Sequence, residues 1–198
     1  HIPEPPALAA GTGLLVFSGG VVQTVLAVAA WPLRRHGPER RSLATLYLQL
    51  AHLAANPVDP GSSPPLGAAL LETTETLRGA GHDHGPSVEA YRVLLDLAER
   101  IRQDVLVLSA YAVRLRENGG CAGEAVVHAA LRSAGSVLES AGDTLRSRRP
   151  LDEASQQRSL EVIAAIRDAA EVLRDSVTER AAANRMRTLA GKLRAAVE

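Results

Sequence analysis

Cysteine occurs once in the 198 residues, at Cys121, so neither an internal disulfide nor a cysteine-based zinc cluster can form. Aromatic residues are nearly as scarce. At 3% of the chain, with one Trp and one Phe, they leave the core to Ala, Leu and Val, a filling that suits helix packed on helix. Neither charge is in excess: 22 Lys and Arg balance 22 Asp and Glu, which excludes a general nucleic-acid binder with its basic surplus. Lysine itself is almost missing. Lys192 stands alone among arginines, a compositional habit that by itself carries no function. Strand-like alternation is absent. The GTG, GG, GAG and GG clusters have no strand before them and no Gly-Lys-Ser/Thr after them, so none is a phosphate loop.

What the chain does have is a long uncharged run that turns abruptly basic. Between Glu4 and Arg34 there is no ionisable side chain. Residues 1 to 6, HIPEPP, make an extended lead-in because their prolines cannot hold a helix. Leu8 to Trp31 as one helix spans roughly 36 Å, enough for a hydrocarbon core of about 30 Å. Trp31 falls where an interfacial aromatic would lie, and Arg34, Arg35, Arg40 and Arg41 follow as a cytoplasmic flank. The pattern predicts a membrane-proximal helix and basic link over 1–37, with Trp31 and the four arginines as contacts for the membrane or an anionic ligand. Glycines at 11, 13, 19 and 20 leave a second possibility open, a buried helix or a dimer interface. A cleaved signal peptide fits poorly, since the positive charges come after the apolar run.

From 38 to 198 the chain reads as an antiparallel bundle of four or five helices, making the whole all-α. Pro38 suits the first turn of a helix carrying Leu43, Leu46, Tyr47, Leu50 and Leu53 on one face, ended by Asn56-Pro57. A proline-rich loop leads to a shorter helix, Leu66 to Arg78. After GAGHDHGP, Tyr91, Leu94, Ala98, Ile101, Val105, Leu108, Ala112 and Leu115 form an unbroken heptad seam, closed by Asn118-Gly119-Gly120. The next helix, Cys121 to Arg148, carries Val127, Leu131, Ala134, Leu138, Ala141 and Leu145, with Gly135 and Gly142 implying close helix approach. Arg149-Pro150 breaks it. A last helix starts at Leu151-Asp152-Glu153 and runs through Leu160, Ile163, Ile166, Ala170, Leu173 and Val177, thinning beyond Arg180 to Met186, Leu189 and Leu193.

Candidate chemistry is sparse. His82-Asp83-His84 offers two imidazoles and a carboxylate, but no further ligand at helical spacing closes a zinc site, so it reads as a solvated turn. Cys121 opens a helix without a general base nearby. Arg146, Arg148 and Arg149 complement a helix C-terminus, and Asp152-Glu153 a helix N-terminus. No metal, cofactor or catalytic constellation is expected, and the chain is read as not an enzyme.

WPLR with its proline link, followed by ERRSLATLYLQLAHLA, resembles the fusaric-acid-resistance (FUSC-like) family of aromatic-acid exporters. LLDLAERIRQDVLVLSAYAVRLR, Leu94 to Arg116, is similar to that family's second recurring cytoplasmic helix. The resemblance implies a non-catalytic cytoplasmic region of a bacterial inner-membrane efflux protein, following its first membrane half. Its partners would be the remainder of the membrane domain, a second copy through the first helix, and anionic lipid headgroups, with no nucleic acid. The alternative is a stand-alone signalling or ligand-binding bundle that dimerises or anchors through its first helix.

Overall fold

A computed structural model describes residues 37–56, 71–76, 86–147, 149 and 151–197, and every regular element among them is helical. The apolar helix expected over Leu8–Trp31 lies outside the described residues, as do the proline-rich loop and His82-Asp83-His84. Two compact units divide the chain, His1–Pro38 and Glu39–Glu198, and nearly all described residues belong to the second. Its helices are α1 (Gly37–Ala55), α2 (Pro86–Glu117), α3 (Cys121–Ser147), α4 (Glu153–Ala170) and α5 (Val177–Val197). A further short helical stretch covers 71–76, part of the helix expected over Leu66–Arg78. Among the described residues no helix is long and apolar enough to cross a membrane.

Apolar spacing decides which face of each helix is buried. On α1, Leu43, Leu46, Tyr47, Leu50 and Leu53 are all buried, as their three- and four-residue steps require. The α2 seam is buried from Ala98 through Leu115, while Tyr91 and Leu94 at its start are half-buried. A Schellman turn ends α2. The Gly119 amide donates to the Arg116 carbonyl at 3.0 Å and the Gly120 amide to the Leu115 carbonyl at 2.8 Å. Gly119 supplies the φ of 75° that this turn needs and that side chains with a Cβ resist.

Two glycines let α1 lie close on α3. A Cβ on Gly135 would stand 3.0 Å from the Ala51 carbonyl oxygen, and one on Gly142 would stand 2.9 Å from Leu48 Cγ. Since Gly135 meets Ala51 and Ala55 while Gly142 meets Ala44 and Leu48, the two helices run antiparallel. The Tyr47 hydroxyl donates to the Leu94 carbonyl at 3.1 Å, tying α1 to α2 as well.

The last expected helix is in fact two. α4 ends at Ala170 and α5 begins at Val177, so the stripe drawn from Leu160 through Val177 crosses a turn. Leu173 is buried inside that turn, which keeps the apolar spacing intact while the backbone reverses; Val177 is 75% exposed. A capping box starts α5. The Glu179 amide donates to Ser176 Oγ at 3.1 Å, and Glu179 Oε2 accepts from the Ser176 amide at 3.1 Å. Far from thinning, α5 buries Ala182, Met186, Leu189, Ala190 and Leu193 completely. It packs against α2, α3 and α4, and α3 also touches α2 and α4, so α5 and α3 form the middle of the packing.

Candidate functional site

Of the five residues singled out at the basic link, Trp31, Arg34 and Arg35 lie outside the described residues. Arg40 and Arg41 sit at the start of α1, Arg40 half-buried and Arg41 exposed. Between them and Pro38 stands Glu39, 7% exposed, with no hydrogen-bond partner for Oε2 among the described residues. Its carboxylate lies in the first turn, where the helix dipole favours negative charge. Cys121 is exposed at the start of α3. Arg146 pairs with Asp143 at 2.8 Å on the surface. Among the described residues no group of three His, Cys, Asp or Glu could hold a metal ion.

One buried ionic cluster was not anticipated. Asp104 on α2 is fully buried and accepts from two cations of α5. Arg185 Nη1 donates to Oδ1 at 2.9 Å, and Lys192 Nζ donates to Oδ2 at 2.7 Å and to the Arg100 carbonyl at 3.2 Å. Lys192 is the chain's single lysine. A compact ammonium on a flexible stem can serve a carboxylate and a carbonyl in different directions, where the planar fork of arginine would be constrained. The cluster fixes the register of α2 against α5. Removing either cation would leave the fully buried Asp104 carboxylate only partly compensated.

Among the described residues, two of the cavities on this frame bear on function. The first, of about 310 Å³, lies where α1, α3, α4 and α5 meet the start of α2, and is lined by Tyr47, Leu94, Thr144, Leu151, Gln156 and Val197 among others. Among the described residues no charged side chain lines it. Burial pushes the Tyr47 phenol well above its ordinary range.

The second, also about 310 Å³, is a groove between α4 and α5. Leu160, Ile163, Ala164 and Arg167 line it from α4, and Arg187, Ala190, Gly191 and Arg194 from α5. Both rows step i, i+3, i+4, i+7, so each helix turns one narrow face into the groove. Ile163 and Ala190 are buried and make its floor. Among the described residues three arginines and no acidic side chain line it.

These arginines differ. Arg187 Nη2 and Nε donate to Glu171 Oε1 at 2.8 and 3.2 Å, and its Nη1 donates to Asn184 Oδ1 at 2.9 Å. Arg187 and Arg174 together hold the Glu171 carboxyl below the usual carboxylate range. Arg187 therefore braces the α4–α5 turn. The Arg167 guanidinium makes no hydrogen bond or ion pair among the described residues.

Gly191 is unlike the other glycines within these helices. A Cβ there would meet nothing within 4 Å, whereas Gly123, Gly135 and Gly142 all stand against neighbours. A glycine inside an exposed helix costs about 1 kcal/mol relative to alanine. At Gly135 and Gly142 close packing offsets that cost; at Gly191 no packing contact does. Comparison with known proteins finds no family model, no curated sequence and no solved structure that matches this chain.

Proposed function

We propose that the chain is the non-catalytic cytoplasmic helical region of a FUSC-like inner-membrane exporter of aromatic carboxylic acids. In this reading an apolar membrane-proximal helix leads into an antiparallel bundle that acts in assembly, gating or substrate handover. Its partners are the remainder of the membrane domain, a second copy met through the first helix, and anionic headgroups at the basic link. The observation that carries the reading is the pairing of the two stretches that bear the family resemblance. Glu39–Ala54 forms most of α1 and Leu94–Arg116 most of α2, and the Tyr47 hydroxyl joins them at the Leu94 carbonyl. Mechanically the arrangement suits a joint. α1 begins at Gly37, directly after the basic link, and reaches α3 through Gly135 and Gly142, so a displacement at its start is carried into the helical core.

The test replaces Arg34, Arg35, Arg40 and Arg41 by Gln in the intact protein. Each cation near an anionic leaflet contributes on the order of 1 kcal/mol, so membrane insertion or export falls while the helical unit melts as before. Wild-type export at normal membrane levels would overturn the proposal. A second reading, a stand-alone ligand-binding bundle, is favoured by the α4–α5 groove with its three arginines.

A further inference from the structure

We propose that the Asp104–Arg185–Lys192 cluster selects one axial position of α5 on α2 from several that the apolar packing accepts, and adds little to stability in doing so. The apolar surfaces are repetitive. Displace α5 by one turn, four residues or about 6 Å, and Met186, Ala190, Leu193 and Val197 take the places of Ala182, Met186, Leu189 and Leu193, apolar for apolar. On α2 the buried seam from Ala98 to Leu115 repeats in the same three- and four-residue steps, so it offers α5 a similar surface at each turn. Packing of this kind, with pattern and volume kept, loses uniqueness before it loses stability.

The ionic contacts do not repeat. Arg185 and Lys192 lie two turns apart on one face of α5 and hold the two oxygens of a single, fully buried carboxylate at 2.9 and 2.7 Å. A slip of one turn in one direction puts Leu189 and Ala196 at those two places; in the other direction it puts Ala181 and Thr188 there. Neither pair carries a charge, and a buried carboxylate that loses its counter-ions is strongly disfavoured. Slipped positions are therefore penalised, while the native one is only compensated, because taking the charges out of water offsets most of what their attraction returns. The link from α4, residues 171–176, resists a slip weakly, since the Glu171–Arg187 ion pair that ties it to α5 is on the surface. The inference does not depend on the exporter reading, because it concerns the helical unit alone.

The test is the triple variant Asp104→Leu, Arg185→Met, Lys192→Met in the full 198-residue chain, studied in detergent. It should keep the wild-type circular dichroism and melt within about 4 °C of wild type or above it. In amide NMR spectra, residues of α5 should each give more than one peak where wild type gives one, and methyl NOEs between α2 and α5 should report positions displaced by about 6 Å. Lys192→Met alone should give the opposite pattern, a single set of peaks with a midpoint at least about 4 °C lower, because Asp104 keeps only Arg185. Should the triple variant fail to fold, Asp104→Ala decides by the same peak doubling, since it adds no bulk and lets the partly exposed cations turn to water. A single native set of α5 peaks from the folded triple variant or from Asp104→Ala overturns the proposal. So does a folded triple variant that melts more than about 4 °C below wild type.

Discussion

Tyr47 illustrates how much of a residue's role its spacing declares. Its place in the α1 stripe marks it as buried, and it is; nothing in the spacing says that its hydroxyl reaches the Leu94 carbonyl, 47 residues away. The same limit hid Asp104. It lies beside Val105 in a seam otherwise read as apolar, and its partners Arg185 and Lys192 are more than 80 residues distant. Long-range pairing of polar groups leaves no local period to read. For Tyr47 the burial has a measurable pH consequence. Its phenol is raised in the folded state by desolvation, so the neutral form is favoured by folding. That stability is fully present below the unfolded phenol pKa of about 10 and is lost as pH rises beyond it, by about 1.4 kcal/mol per unit. Tyr47→Phe should cost about 1 kcal/mol at neutral pH, from the lost hydrogen bond. By pH about 11 the gap to wild type should vanish or reverse, because a phenylalanine at this position has nothing to ionise. Urea denaturation of both proteins at the two pH values checks this, the difference cancelling titrations they share. A gap constant across pH would mean the phenol is hydrated in the native state.

At the scale of elements, helix positions and buried faces were largely legible because three- and four-residue spacing records burial directly. Gly135 and Gly142 announced close approach for the same reason, being poor helix formers on an apolar face. The boundary between α4 and α5 was not read. Leu173 stays buried through the turn and sustains the spacing, although Ser176-x-x-Glu179 is a capping box visible in the sequence. The three glycines should respond differently to alanine. Each substitution gains about 1 kcal/mol of helix propensity. At Gly135 the new methyl meets the Ala51 carbonyl at 3.0 Å, backbone that yields only if α1 moves, so overpacking of about 1–3 kcal/mol outweighs the gain. At Gly142 the nearest atom belongs to the half-buried Leu48 side chain, which can turn aside, leaving a change near zero. Gly191→Ala meets nothing and should stabilise. Denaturation midpoints should therefore rank Gly191→Ala above wild type, wild type at or slightly above Gly142→Ala, and Gly135→Ala lowest. Equal loss at Gly135 and Gly191 would refute the close packing of α1 on α3.

For the whole molecule, composition foretold helices and the scarcity of aromatics foretold alanine-lined contacts, but not which helix would be central. α5 looked light because three of its seven buried positions, Ala182, Ala183 and Ala190, are alanines, whose small side chains register weakly in an apolar count yet let neighbours come close. The buried hydrophobic core of the described residues runs from Leu43 to Val197, entirely within the unit Glu39–Glu198. Residues 5 to 33, by contrast, hold no ionisable side chain, and the proposed function has them covered by lipid, detergent or another subunit. Deleting residues 1 to 33 should therefore leave a helical protein whose thermal midpoint moves by only a few degrees, since about 1 kcal/mol corresponds to roughly 2–4 °C at this size. The same deletion should make the protein more nearly monomeric, as read by sedimentation equilibrium. Small residues Gly20, Thr24 and Val28 recur every fourth position in the deleted segment, the spacing that lets apolar helices associate. Loss of helicity on deletion would place that segment in the core of the bundle instead, and persistence of the oligomer would move the interface to the surface of α1 through α5.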